Sequence, residues 1–251
     1  MRRMTHIVIW AGLAVAPAPG GYWIAYEGGP GFPEEVGPWR RIFGDEKGPK
    51  QGGAERRIEG GVFVLDSLRH RQIFDFYETQ GIQDPQGVEQ RFVAEWRLRV
   101  DPPSDPWDAG IVIARDRSPG HVALDFGVDR VQINTEPVQF RVEPGVFHTY
   151  RFESRDMDKF DFFIDDLLVH QGRFETFTLL RSFVNFGDGV QGLRSLSRWD
   201  FMRFGVVGEP MSAALLVVGA TVLRAKRAIR TTGLLTFLAP ARILLPTRRS
   251  T

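Results

Sequence analysis

The stretch Phe92-Val-Ala-Glu-Trp-Arg-Leu-Arg-Val100 constrains the fold more than any other segment of the chain. Phe92, Ala94, Trp96, Leu98 and Val100 fall on one side of an extended backbone, and Glu95, Arg97 and Arg99 on the other. Strict alternation is the pattern of an antiparallel strand with one buried and one wet face. A helix would spread the same apolar residues around its whole circumference. Asp101-Pro-Pro-Ser-Asp-Pro106 ends the run, because prolines cannot donate to a ladder.

Short apolar or alternating runs continue beyond it. Gly110–Ala114 reads as a buried strand, and His121–Phe126 and Arg130–Asn134 flank a turn at Gly127-Val-Asp129. Phe147–Ser154, Phe160–Asp165, Leu167–His170, Thr178–Phe186 and Phe201–Val207 follow, with Asp165-Asp166 as a hairpin turn. Earlier, Ile58–Asp66, with Gly60-Gly61 inside it, and Ile73–Tyr77 look like strands. No stretch of 21–207 holds a helical period over a dozen residues. A chain that is 43% hydrophobic and 12% aromatic has enough apolar mass for a core. These observations predict an all-β protein with 21–207 as one domain, a sandwich or barrel.

Charge and cysteine content narrow the function classes. The chain contains no Cys, which excludes disulfide scaffolds, thiolate metal sites and a Cys nucleophile. The formal net charge is +1, but residues 1–20 carry +2 and 208–251 carry +6, so 21–207 carries −7. An acidic domain is a poor match for the phosphate backbone, and no nucleic-acid partner is expected. Arg2 and Arg3, the apolar run Ile7–Ala16 and the small residues up to Gly20 fit a secretory signal over 1–20.

The other terminus resembles a known sorting device. Glu209-Pro210, an apolar run over Met211–Leu223 with Gly219 inside it, and the basic cluster Arg224, Lys226 and Arg227 are similar to the PEP-CTERM signal of bacterial surface proteins. That resemblance implies export, handling by an exosortase-type membrane enzyme, and a membrane segment over 208–230 with the cations on the cytoplasmic side. Residues 231–251 form a tail of unknown role, and short apolar helices are expected at both termini.

A second resemblance covers roughly 58–207. His148-x-Tyr150-x-Phe152, then Phe160-x-Phe162-x-Ile164-Asp165, then Val184-Asn-Phe-Gly-Asp188 with Ser195, Ser197, Trp199 and Phe204 are similar to strands of concanavalin A-like lectin/glucanase domains. It implies an antiparallel two-sheet jelly-roll sandwich and a polysaccharide partner. Laminarinase-type members carry Glu-x-Asp-x-x-Glu on one strand, and no Glu here has Asp two residues later. The expectation is therefore a chain that is not an enzyme: an exported, non-catalytic surface module that binds glycan or serves in the matrix. A protein-binding adhesion module and a divergent glycoside hydrolase stand as alternatives.

The candidate ligand residues are Trp107, Asp108, Arg130 and Trp199, since sugar binding calls for an aromatic platform beside polar groups. The fold often holds Ca2+, for which Asp125, Asp129, Asp188 and Asp200 are the candidate oxygen donors. Gly187-Asp-Gly-Val-Gln-Gly192 matches the spacing of a dinucleotide fingerprint but opens no helix, and reads as a loop. His148 reads as structural.

Overall fold

The structure is a computed structural model that describes residues 22–44, 53–69, 74–80, 82–86, 89–107, 109–116, 120–176, 181–188 and 193–208. The strands are β1 (Tyr22–Glu27), β2 (Arg40–Gly44), β3 (Glu55–Glu59), β4 (Val62–Asp66), β5 (Phe74–Gln80), β6 (Gln90–Asp101), β7 (Ala109–Ala114) and β8 (His121–Phe126). They continue with β9 (Arg130–Ile133), β10 (Val138–Arg141), β11 (His148–Ser154), β12 (Lys159–Ile164), β13 (Leu167–Arg173), β14 (Phe183–Asp188) and β15 (Leu196–Gly208). A four-residue helix, α1 (Pro33–Val36), lies between β1 and β2. The expected terminal helices lie outside the described residues.

All strand pairings are antiparallel, and they form two sheets. One runs β13-β12-β11-β6-β15-β4-β3, with β1 added alongside the second half of β15. The other runs β10-β9-β8-β7-β14-β5-β2. Neighbouring strands in space are often remote in sequence, as expected for a jelly roll rather than a meander.

The alternation in β6 orients this architecture. Phe92, Ala94, Trp96, Leu98 and Val100 are all buried between the sheets. Trp96 stacks on Tyr150 and Phe162 at ring separations of 5.9 and 6.3 Å. On the wet side, Glu95 pairs with Arg203, Arg97 with Asp200 at 2.6 Å, and Arg99 with Asp101 at 2.7 Å. Exposed pairs of this kind contribute only about 0–1 kcal/mol each, so the core and not the charge lattice holds the sheets together.

Two turns follow from local backbone chemistry. Asp165 and Asp166 both have positive φ, 48° and 64°, which closes the β12–β13 hairpin where the sequence places it. Gly60 and Gly61, at φ 60° and 84°, correct the reading of Ile58–Asp66 as one strand: they turn it into the β3–β4 hairpin. His148 is buried as expected for a structural residue, with Nδ1 2.6 Å from Asp165 and Nε2 3.1 Å from the Glu143 carbonyl. The sequence patterns missed β1, β2 and β10, whose edge positions demand no regular alternation.

Candidate functional site

The seven-stranded sheet turns a trough of about 220 Å³ to solvent. Its lining comes from β5, β7, β8 and β14 and from the residue after β9: Phe76, Gly110, Val112, Ala123, Asn185 and Gly187, with Asp125 and Asn134 at one side. The floor is low because its residues are small. Gly187 has no room for a side chain: at φ 140°, a Cβ would stand 2.6 Å from the Asp75 carbonyl oxygen and 2.8 Å from the Phe76 Cα. Gly110 differs, since a Cβ there would sit 3.5 Å from its nearest neighbours, one of them the Asp125 carboxylate. Its absent side chain leaves space in the trough and relieves no clash.

Side-chain amides lead from this floor across the sheet. Gln139 donates to Gln132 at 3.2 Å, Gln132 donates to Asn134 at 2.8 Å, and Asn134 donates to the Asp125 carboxylate. Asn185 accepts from the Val112 backbone amide at 2.9 Å, which fixes its side chain on the other side of β7. Among the described residues Asp125 is the only carboxylate lining the trough.

A second acid, Glu78, belongs to the same outer face but is committed elsewhere. It is 1% exposed and pairs with Arg40 at 3.1 Å and Arg181 at 2.9 Å. Glu78 lies opposite Asn185, Asn185 opposite Val112 and Val112 opposite Ala123, which puts three strand spacings between β5 and β8. At about 4.8 Å per strand that is roughly 14 Å, beyond the ~5–9.5 Å that separates the two carboxylates of a glycosidase. Asp125 and Glu78 do not form such a pair.

The residues singled out from sequence scatter. Trp107 is half-buried in the loop after β6, and the guanidinium of Arg130 lies 5.7 Å from its ring. These two do meet. Trp199 is a correction: it is fully buried, packs 4.9 Å from Phe186 and donates from its indole to Ser197 at 3.0 Å, so no ligand reaches it. Asp108 and the sorting-signal residues Glu209, Pro210, Gly219, Arg224, Lys226 and Arg227 lie outside the described residues.

The four candidate Ca2+ donors are not brought together, which corrects that reading. Asp125 faces the trough, and Asp129 pairs with Arg130 at 2.7 Å in the turn before β9. Asp188 is buried at the end of β14, beside Asp75 in register, and Asp200 sits at a bulge in the opposite sheet, bound to Arg97. No group of three or more His, Asp or Glu suited to a metal ion occurs among the described residues. The sequence reading passed over Gly110, Asn134, Asn185, Gln132 and Gln139. They are small or amide residues spread over β7, β9 and the position after it, β10 and β14, and only Asn185 falls within a motif, one that marks a strand and not a site.

No protein-family model and no curated protein matches the chain. Among solved structures, an endo-1,3-beta-glucanase from Streptomyces sioyaensis aligns over 78% of this chain and all of its own, at 14% identity and a TM-score of 0.51. The likeness is one of fold, an antiparallel two-sheet jelly-roll sandwich. A protein of unknown function from Shewanella oneidensis aligns over 75% of this chain and 87% of its own, at 11% identity and a TM-score of 0.50. The fold expectation therefore stands. The expectation that the chain is not an enzyme does not: this sandwich is one that an endo-glucanase uses from end to end, so a missing strand motif is no ground for excluding catalysis.

Proposed function

We propose that this chain is a polysaccharide-active β-sandwich, which seats a glycan along the outer trough with Asp125 as the one carboxylate there, a base that takes a proton from the attacking water while the leaving glycosidic oxygen takes one from solvent. The single observation that carries the reading is the trough itself. A floor of small residues is bordered by amides, by the ring of Phe76, and by one carboxylate held in place by Asn134. Sugars present hydroxyls at their edges and C–H groups on their faces, and such a lining suits both. The glucanase likeness in fold supports the hydrolytic part of the proposal.

The test is made on the full-length chain with a panel of β-glucans and galactans. It measures retardation in polysaccharide-containing native gels and release of new reducing ends. A positioned acid or base contributes about 10²–10⁴-fold to rate, so Asp125→Asn should lower hydrolysis at least 100-fold and leave most of the retardation. Retardation without new reducing ends would remove the hydrolytic half of the proposal. Neither retardation nor hydrolysis on any polymer would remove all of it.

We also infer that the protein is exported. The basic-apolar-small order of residues 1–20, and the Glu209-Pro210, apolar and basic order of 208–230, support handling by export and exosortase-type machinery with passage through the membrane.

A further inference from the structure

We propose that Arg130 and Arg141 form a subsite for an anionic group of the polysaccharide, a uronate carboxylate or a sulfate ester, at the β9–β10 end of the trough. This rests on the reading of the trough as a glycan cleft. The two arginines are direct cross-strand partners in the β9–β10 pair, and both are exposed. They share the outer face with Gln132 and Gln139, the next such partners along, while Val131, Ile133 and Phe140 face inward. Like charges directly opposite one another destabilise a sheet. A site that keeps two guanidiniums there is arranged for something that binds both.

The local charge is not cancelled by the protein. Asp129 accepts two hydrogen bonds from Arg130, at 2.7 and 3.2 Å, which neutralises one of the cations. Arg141 makes no ion pair among the described residues. The carboxyl of Asp129 is held below its usual range, first by the Arg130 hydrogen bond and further by the charge of Arg141, so all three groups lie within one electrostatic neighbourhood. At the strand end itself two guanidiniums face the one carboxylate of Asp129, which holds Arg130, while Asp125 lies a strand over and two residues along; the guanidinium of Arg141 is the one left to a ligand, and its fork suits the planar and tetrahedral oxyanions of uronates and sulfates.

The site adjoins the trough. Gln132 lies opposite Asp125 in the β8–β9 pair, and Arg130 is two residues further along β9, roughly 7 Å at strand spacing. The amide series Gln139, Gln132, Asn134, which starts two residues from the arginine pair, leads to Asp125. Trp107, against Arg130, supplies a ring at the same place. Because 21–207 carries −7, general attraction of polyanions is disfavoured, and binding of one must come from a local feature.

The experiment compares full-length wild type, Arg141→Gln and Gly110→Leu by retardation in native gels containing a neutral β-1,3-glucan, polygalacturonate or carrageenan. Arg141 is exposed on an edge strand, so the fold of Arg141→Gln is checked by a Tm equal to or above that of wild type. The expected result is affinity for one polyanion about tenfold above that for the neutral glucan, weakened by salt and removed by Arg141→Gln, with neutral-glucan affinity unchanged. Loss confined to polygalacturonate assigns the site to uronates, and loss confined to carrageenan assigns it to sulfates. Equal retardation by charged and neutral polymers, or polyanion binding indifferent to Arg141→Gln, overturns the subsite and leaves the trough reading standing. Binding indifferent to a folded Gly110→Leu, or no binding of any polymer, overturns the trough reading itself.

Discussion

Two glycines on the trough floor should respond to the same substitution in opposite ways. At Gly187 a methyl group would meet backbone atoms of β5 at 2.6 and 2.8 Å, and the residue holds φ at 140°, where L side chains rarely go. Neither neighbour is the end of a flexible side chain, so β14 and β5 must part to admit it. Backbone strain of this kind costs about 1–3 kcal/mol and overpacking a similar amount, giving about 2–6 kcal/mol for Gly187→Ala. At roughly 2–4 °C per kcal/mol for a domain of this size, Tm should fall by roughly 4–24 °C. At Gly110 the same methyl finds ordinary contacts at 3.5 Å and φ lies outside the left-handed range. Gly110→Ala should therefore stabilise by about 0.4–1 kcal/mol through the unfolded chain. Thermal and urea unfolding of both variants, followed by near-UV circular dichroism, reads this directly. A Gly187→Ala protein as stable as wild type would refute the claim that the floor is low because the strands leave no room for a side chain.

Alkaline titration provides a second check. Tyr26, Tyr77 and Tyr150 all have phenol pKa values raised above the usual 10, chiefly by burial. With the folded values above the unfolded one, stability is fully present below pH 10 and is lost as pH rises beyond it. Of the chain's four tyrosines, then, these three should show no phenolate absorbance near pH 10 in native protein, and should ionise together with unfolding. For export, fractionation of producing cells should place the protein outside the cytoplasm, and a wholly cytoplasmic, full-length product would overturn that reading.

The legibility of this protein from sequence differs sharply between fold and site. The alternation of β6 predicted its core-facing residues, because period two is a local property that needs no partner strand to interpret; Val93, buried on the other face, lay outside it. The Asp165-Asp166 turn was legible for the same reason. Trp199 was not: its neighbours in sequence resemble a binding loop, yet β15 pairs with β4 and β6 and turns the ring inward onto Phe186. The four aspartates looked like a donor set only because sequence carries no information about which face of which sheet each one occupies.

What the sequence by itself determined is therefore the all-β class, the buried face of the long central strand, the hairpin at Asp165-Asp166 and the segregation of positive charge to the termini. What only the tertiary structure decided is the trough. Asn185 reaches the backbone of Val112 across 73 residues, and Asp125, Asn134 and Gln132 meet only because β8 and β9 pair in one register. The physical reason is the pleat of the sheet. A one-residue slip in any of these pairings would turn the participating side chains to the opposite face, so local spacing specifies a strand while the long-range register specifies the site.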